Sequence, residues 1–193
     1  MTSLQDVRDR MGDCKACPLW EGRTNLVFGV GNPYARVMFI GEGPGKNEDL
    51  QGEPFVGAAG KFLNELLDIA GLRREDVYIA NILKCRPPGN RDPQPGEIAA
   101  CTPWLREQIK VIHPEYLVTL GNFATKFVLK TERGITSLHG QVMTTGPFTV
   151  MPMFHPAAAI YDQSKKDLLR DDFRKLGLLL DEKYPRHQVE ESR

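Results

Sequence analysis

Four cysteines place the tightest constraint on how this chain can fold. They stand at Cys14, Cys17, Cys85 and Cys101, a C-x-x-C pair followed by a second pair with fifteen residues between its members. The 67 residues between Cys17 and Cys85 mean that any group bound by all four staples the N-terminus to the middle of the domain. Four soft thiolates suit a tetrahedral zinc or a cubane 4Fe–4S cluster, and spacing alone leaves both open. The plainer reading is four thiols packed as small apolar groups. It suits Cys14 and Cys17 poorly, because GDCKACPLW is a polar, lysine-containing turn.

The second pair brackets a run with four prolines, Pro87, Pro88, Pro93 and Pro95. Proline fixes φ and removes a donor, so most of this run forms neither regular helix nor central strand. A rigid loop with thiols at its ends is what a metal site needs. Lys84, Arg86 and Arg91 add positive charge there. The ordinary reading is a solvated surface; the sharper one is a fixed surface for phosphates.

At 193 residues the chain fits one domain spanning residues 1–193, with 183–193 expected to fray. A content of 41% hydrophobic and 26% charged residues is that of a soluble globular protein. The start MTSLQDVRDRM lacks a signal peptide's apolar core, and no apolar run could span a bilayer. A cytoplasmic location is expected, where stable disulfides are rare. Formal net charge is zero, so no overall field attracts a polyanion.

Short apolar runs alternate with helical periodicity. Strands are expected at Arg36 to Gly41, Val77 to Lys84 and Tyr116 to Gly121, with a hairpin turning at Thr145 to Pro147 and ending at Phe154. Helices are expected over Leu4 to Met11, through GAAGKFLNELLDIAGL, over Pro95 to Ile112, in NFATKFVLK and in KKDLLRDDFRKLGLLLDEKY, whose apolar stripe is Leu168, Leu169, Phe173, Leu176 and Leu180. The pattern predicts an α/β sandwich with a mainly parallel central sheet. Ligands of such folds sit beyond the carboxyl ends of the strands. The residues there are GEGPG after the first strand, Asn81 in the second and HPAAAI after the hairpin.

Each of these has a plain reading beside a chemical one. GEGPGKNED lacks the dinucleotide and P-loop fingerprints, yet it places carboxylates at Glu42 and Glu48, where one can hold or activate water. Phe55 is either a loop anchor or a ring that stacks on a planar ligand. Asn81 interrupts an apolar strand, and its amide either ties down backbone or reads a heterocycle edge. His155, held between an apolar strand and Pro156, is a better candidate than His113, His139 or His187 for donating to a developing oxyanion.

Taken in order, GEGPG, Glu48-Asp49, GEPFVGAAG, NILKCRPPGNRDP, the two-plus-two cysteines and MFHPA resemble the family 4 uracil-DNA glycosylases, over most of the chain. The resemblance implies a three-layer α/β/α fold and a monofunctional glycosylase that hydrolyses the N-glycosidic bond of uracil in single- or double-stranded DNA. It implies that Cys14, Cys17, Cys85 and Cys101 hold a structural 4Fe–4S cluster, with zinc the alternative. Gly41, Glu42 and Gly43 match the wall of the uracil pocket. Phe55 matches the ring stacked on the flipped base, Asn81 the amide reading O4 and N3, and His155 the imidazole near O2. Glu48 matches a pocket-side acid that would help exclude thymine's methyl. Related branches carry an aspartate where Gly43 stands, so Glu42, ahead of Glu48, is the expected partner of water. Ile160 or Tyr161 is the expected wedge into the stack.

A relative that traps uracil-DNA does so through a histidine in a basic insert, and no histidine lies between Cys85 and Cys101. Turnover by a monomer is therefore the expectation. The competing reading from another class is a metal-stapled nucleic-acid-binding module without chemistry. Electron transfer is weaker, since the chain carries no flavin or second-cluster motif.

Overall fold

Among the described residues the strands are β1 (Val30–Gly31), β2 (Val37–Gly41), β3 (Tyr78–Asn81), β4 (Tyr116–Leu120), β5 (Met143–Thr145) and β6 (Phe148–Met153). These six form one sheet in the order β1-β3-β2-β4-β6-β5. The computed structural model describes residues 2–183; most of the tail expected to fray lies outside them. The four inner strands run parallel, while the edge strands β1 and β5 pair antiparallel. Every residue of β2, β3 and β4 is buried, as a parallel sheet covered on both faces requires.

The helices are α1 (Leu4–Met11), α2 (Lys46–Gln51), α3 (Ala58–Ile69), α4 (Pro95–Ile112), α5 (Asn122–Leu129), α6 (Ile135–Leu138), α7 (Pro156–Ala159) and α8 (Gln163–Lys183). Alternate strand residues feed two cores. Phe39, Ile79 and Val118 pack with α3 and α8 on one face, and Met38, Ala80 and Leu117 pack with α4 and α5 on the other. Phe39 stacks on Phe173 of α8 at 5.8 Å. Leu168 was expected in the buried stripe of α8 but is substantially exposed. The stripe turns on Leu169, Phe173, Leu176 and Leu180, because the face toward the sheet is narrower than the run of leucines. Among the described residues no helix is long and apolar enough to cross a membrane.

Strand register places the site. Gly41 pairs with Asn81 and Leu120 with Met153, so four parallel strands end along one edge. The ladder runs on past it: Ile82 N donates to Gly41 O and Leu83 N to Glu42 O, both at 3.0 Å. Glu42 is thereby fixed beside Asn81 by backbone bonds alone.

Candidate active site

The cleft at this edge has a volume of about 330 Å³, within the range of small-molecule sites. It brings together Glu42, Gly43, Glu48, Phe55, Asn81 and His155. Gly41 lies beneath them. A Cβ there would collide with Asn81 Oδ1 and stand 2.8 Å from the Phe55 ring, so glycine is what lets the amide and the ring approach the same strand end.

Asn81 is buried, and its Oδ1 has no hydrogen-bond partner among the described residues. An orphaned acceptor in a protein interior costs on the order of 1–3 kcal/mol, and this one lines a cleft. Phe55 is buried with φ 53°, an uncommon conformation for an aromatic residue. Glu48 helps to hold it: Oε1 accepts from Val56 N at 3.2 Å and Gly57 N at 3.3 Å, the two residues that follow Phe55.

His155 caps α7, and its Nδ1 accepts from Ala157 N at 3.1 Å. With Nδ1 accepting, the neutral ring carries its proton on Nε2. Burial lowers its pKa to about 4, although the charge of Glu48 works the other way. The imidazole is thus a neutral Nε2–H donor at physiological pH. In the same cleft, burial raises the Glu42 carboxyl above its ordinary value and the like charge of Asp92 raises it further.

The proline loop supplies a wall of the cleft through Pro87, Asn90 and Arg91. Asn90, with φ 56°, accepts from Arg86 Nε at 2.6 Å. Sequence reasoning missed Pro87 and Asn90 as pocket residues; the Gly89-Asn90 step inside a proline-bound loop was the available signal. Arg91 Nη1 donates to Glu97 Oε2 at 3.0 Å, so this arginine is anchored by α4 while facing the cleft. Beyond His155, Ala157 and Ala158 complete the lining. Ile160 ends α7, and Tyr161 is 99% exposed.

Lys84 corrects the expectation of a phosphate-contacting residue. It is completely buried, its Nζ donating to Phe28 O at 3.0 Å and Gln108 Oε1 at 2.7 Å. The strand-end backbone turns this side chain inward, where it cannot reach DNA.

No disulfide joins the cysteines of the described residues, and Cys14, Cys17, Cys85 and Cys101 line one small cavity with Met11, Trp20 and Lys84. Arg23, which sequence reasoning did not single out, donates from Nη1 to Cys14 O at 2.7 Å and to Cys85 Sγ at 3.2 Å. The Lys84 backbone N–H donates to Cys101 Sγ at 3.2 Å. Among the described residues no group of three or more His, Cys, Asp or Glu side chains is arranged to hold a metal ion.

A parallel sheet with an aromatic-walled cleft, a carboxylate and a neutral imidazole at its carboxyl edge defines a class, and the comparisons agree with it. The family model of the Uracil DNA glycosylase superfamily matches residues 28–176. The type-4 uracil-DNA glycosylase of Archaeoglobus fulgidus is 44% identical over 193 residues, covering 96% of this chain and 97% of its own. That of Thermotoga maritima is 46% identical over 165 residues, 84% of this chain and 86% of its own. A type-5 enzyme from Pyrobaculum aerophilum is 33% identical over 185 residues, 79% of this chain and 81% of its own. The chain belongs to the type-4 family of uracil-DNA glycosylases.

Proposed function

We propose that this chain receives a uracil flipped out of DNA in the cleft at the carboxyl edge of the sheet and hydrolyses its N-glycosidic bond. The observation that carries the reading is that Asn81, whose buried Oδ1 has no hydrogen-bond partner among the described residues, lines a cleft shared with Glu42, Phe55 and His155. Uracil offers N3–H to that oxygen and O4 to the amide N–H of the same side chain, so one asparagine satisfies both and is satisfied in return. Phe55 stacks on the base. Extrusion from the helix is required because neither edge nor glycosidic bond is accessible in a stack.

Breaking the bond leaves negative charge on uracil and cationic character on the sugar. His155 donates Nε2–H to uracil O2 and stabilises the leaving anion. Because this imidazole resists protonation, it acts as a fixed dipole whose contribution is preorganisation. Glu42 stands opposite as a carboxylate that stabilises the sugar cation and holds the water attacking C1′. Water gives its hydroxyl to C1′ and its proton passes to solvent, from which the departing uracil anion takes one up, leaving an abasic site and free uracil. Glu48 is already committed to the Phe55 loop, which supports Glu42 as the partner of water. Arg86 and Arg91 face the phosphates, and Ile160 or the exposed Tyr161 fills the gap left by the base.

The four cysteines hold a 4Fe–4S cluster in this reading. The fit rests on four thiols facing one cavity, with N–H donors from Arg23 and the Lys84 backbone on two of them. A cubane spreads its thiolates around a wider body than one ion does, which favours it over zinc here. When bound, the cluster supplies structure: it ties α1 and its following turn to the loop that walls the cleft. The reading is completed by a monomer working in the cytoplasm on single- or double-stranded DNA.

The test is incubation with a labelled oligonucleotide carrying one uracil, followed by alkali, beside a thymine control. A break at uracil alone is the expected result. Binding without a break would leave only a binding module.

A further inference from the structure

At the opposite edge of the sheet lies a second groove, of about 520 Å³, that the glycosylase chemistry does not use. Its floor is apolar: Ile109 of α4, Leu117 near the start of β4, Phe127 and Val128 of α5, and Phe148 at the start of β6. Its rim is basic, formed by Arg106, Lys110, His113 and Lys130, and among the described residues no carboxylate lines it. Strand polarity separates the two sites, since Leu117 and Phe148 sit near the amino ends of strands whose carboxyl ends carry the uracil cleft.

The charges are what single this groove out. Many of the cations elsewhere are paired with carboxylates, among them Arg10 with Glu107, Arg36 with Glu115, Lys126 with Glu132 and Arg170 with Glu65. Among the described residues, no carboxylate pairs with Arg106, Lys110 or Lys130. Glu107, whose charge Lys110 feels, is held by Arg10. Arg106 instead lies over the Phe127 ring at 5.2 Å, which keeps its charge at the groove. The carbonyl ends of α4 and α5 also meet here and contribute about half a negative charge each. Three lysine and arginine charges against roughly one leave a net of about two positive charges, even with His113 neutral. In a chain of zero formal net charge, that local excess is a property of the groove.

We propose that this groove docks a partner protein through an acidic peptide segment bearing a large apolar side chain. The apolar side chain takes the floor between Phe127 and Phe148, and the acids of the peptide meet Arg106, Lys110 and Lys130. Burying one large apolar side chain is worth about 1.5–3 kcal/mol, so the floor and the charges act together in a modest, salt-sensitive affinity. Nucleic acid satisfies the rim but leaves the floor empty, and for that reason it is the poorer occupant. The docked partner leaves the uracil cleft open, which suits recruitment of the enzyme to DNA carried by another protein. The inference stands independently of the uracil reading.

The experiment is fluorescence anisotropy on the full chain with a labelled peptide Asp-Asp-Asp-Asp-Leu-Phe, beside Asp-Asp-Asp-Asp-Ser-Ser. The Leu-Phe peptide is expected to bind at least ~10-fold more tightly than the Ser-Ser peptide, with affinity falling as salt rises. The double variant R106E/K110E and the single variant Phe148→Ser should each lose at least ~10-fold, with uracil release at the wild-type value in both; the charge variant should also keep the wild-type melting temperature, whereas Phe148→Ser, which removes a ring packed against the core, should remain folded with a lower one. A single-stranded oligonucleotide without uracil should not displace the peptide. The proposal is overturned by absence of binding, by equal binding to the variants or to the Ser-Ser peptide, or by displacement, which would make the groove a nucleic-acid contact.

Discussion

The rings of Phe55 and His155 stack, with centroids 5.3 Å apart and planes inclined by 22°. One ring comes from the loop before α3 and the other from the turn after β6, so the two sides of the cleft are in contact before any ligand arrives. Phe55 and His155 therefore orient each other. Phe55→Ala should raise KM by about 5- to 100-fold, since stacking a base on an aromatic ring is worth about 1–3 kcal/mol. It should also lower kcat, because His155 loses its neighbour. Single-turnover and steady-state kinetics on a uracil oligonucleotide separate the two effects.

Gly60 tests the loop without touching the ring. A Cβ at this position collides with the Phe55 carbonyl, so Gly60→Ala must displace the backbone that holds φ 53°. The expected outcome is a stability loss of about 1–3 kcal/mol together with most of the activity. Denaturant unfolding and the strand-break assay report them separately.

The acid side of the pH profile belongs to Glu42 and His155 in different ways. Burial, and then the charge of Asp92, raises the Glu42 carboxyl, so excision should begin to fall at a pH above the ordinary carboxylate range. Asp92→Asn removes one cause and should move that limb toward lower pH. His155 has its folded pKa depressed from 6.5 to about 4. Its neutral form contributes stability in full above pH 6.5, and this is lost as pH falls toward 4, because the unfolded chain takes up the proton first. Melting temperature against pH should decline through that window, and less so in His155→Ala.

Lys84 and Arg91 should behave oppositely in DNA binding. Lys84→Met should leave the slope of log K against log salt unchanged, because its ammonium is buried on Phe28 and Gln108. Arg91→Ala should lower that slope by about one phosphate contact, 0.7–0.9. Gln108→Leu should destabilise by about 1.5–3 kcal/mol, the worth of a hydrogen bond to a charged group, since Lys84 Nζ keeps its bond to Phe28 O.

Serine at Cys85 or Cys101 should remove bound iron and the visible absorbance of the cluster. The loop between them carries Pro87, Asn90 and Arg91 into the cleft, so uracil release should fall along with the iron. Iron content and activity measured on the same preparations check the link.

The buried strands were legible because a parallel sheet covered on both faces writes itself as short apolar runs, VMFIG and YLVTL among them. The long helices α3 and α4 were legible from leucine spacing and from Pro95 at a helix start. Helix α2 was not: KNEDLQ is six residues long with no apolar stripe, and only the tertiary frame makes it helical. Asn81 stood out as a polar residue in an apolar strand, but that its oxygen lacks a partner is a fact of packing. Lys84 misled for the same reason. A lysine beside Arg86 reads as surface charge, and only the strand end and the position of Gln108 on α4 turn it inward.

The most direct measurement is the single-turnover rate of uracil excision by His155→Ala, taken on folded protein with iron content at the wild-type value. A neutral Nε2–H donor to the leaving base predicts a loss of about 100- to 1,000-fold, as for removal of one oxyanion donor. An unchanged rate in a folded, iron-loaded variant would contradict the account and remove His155 from the chemistry.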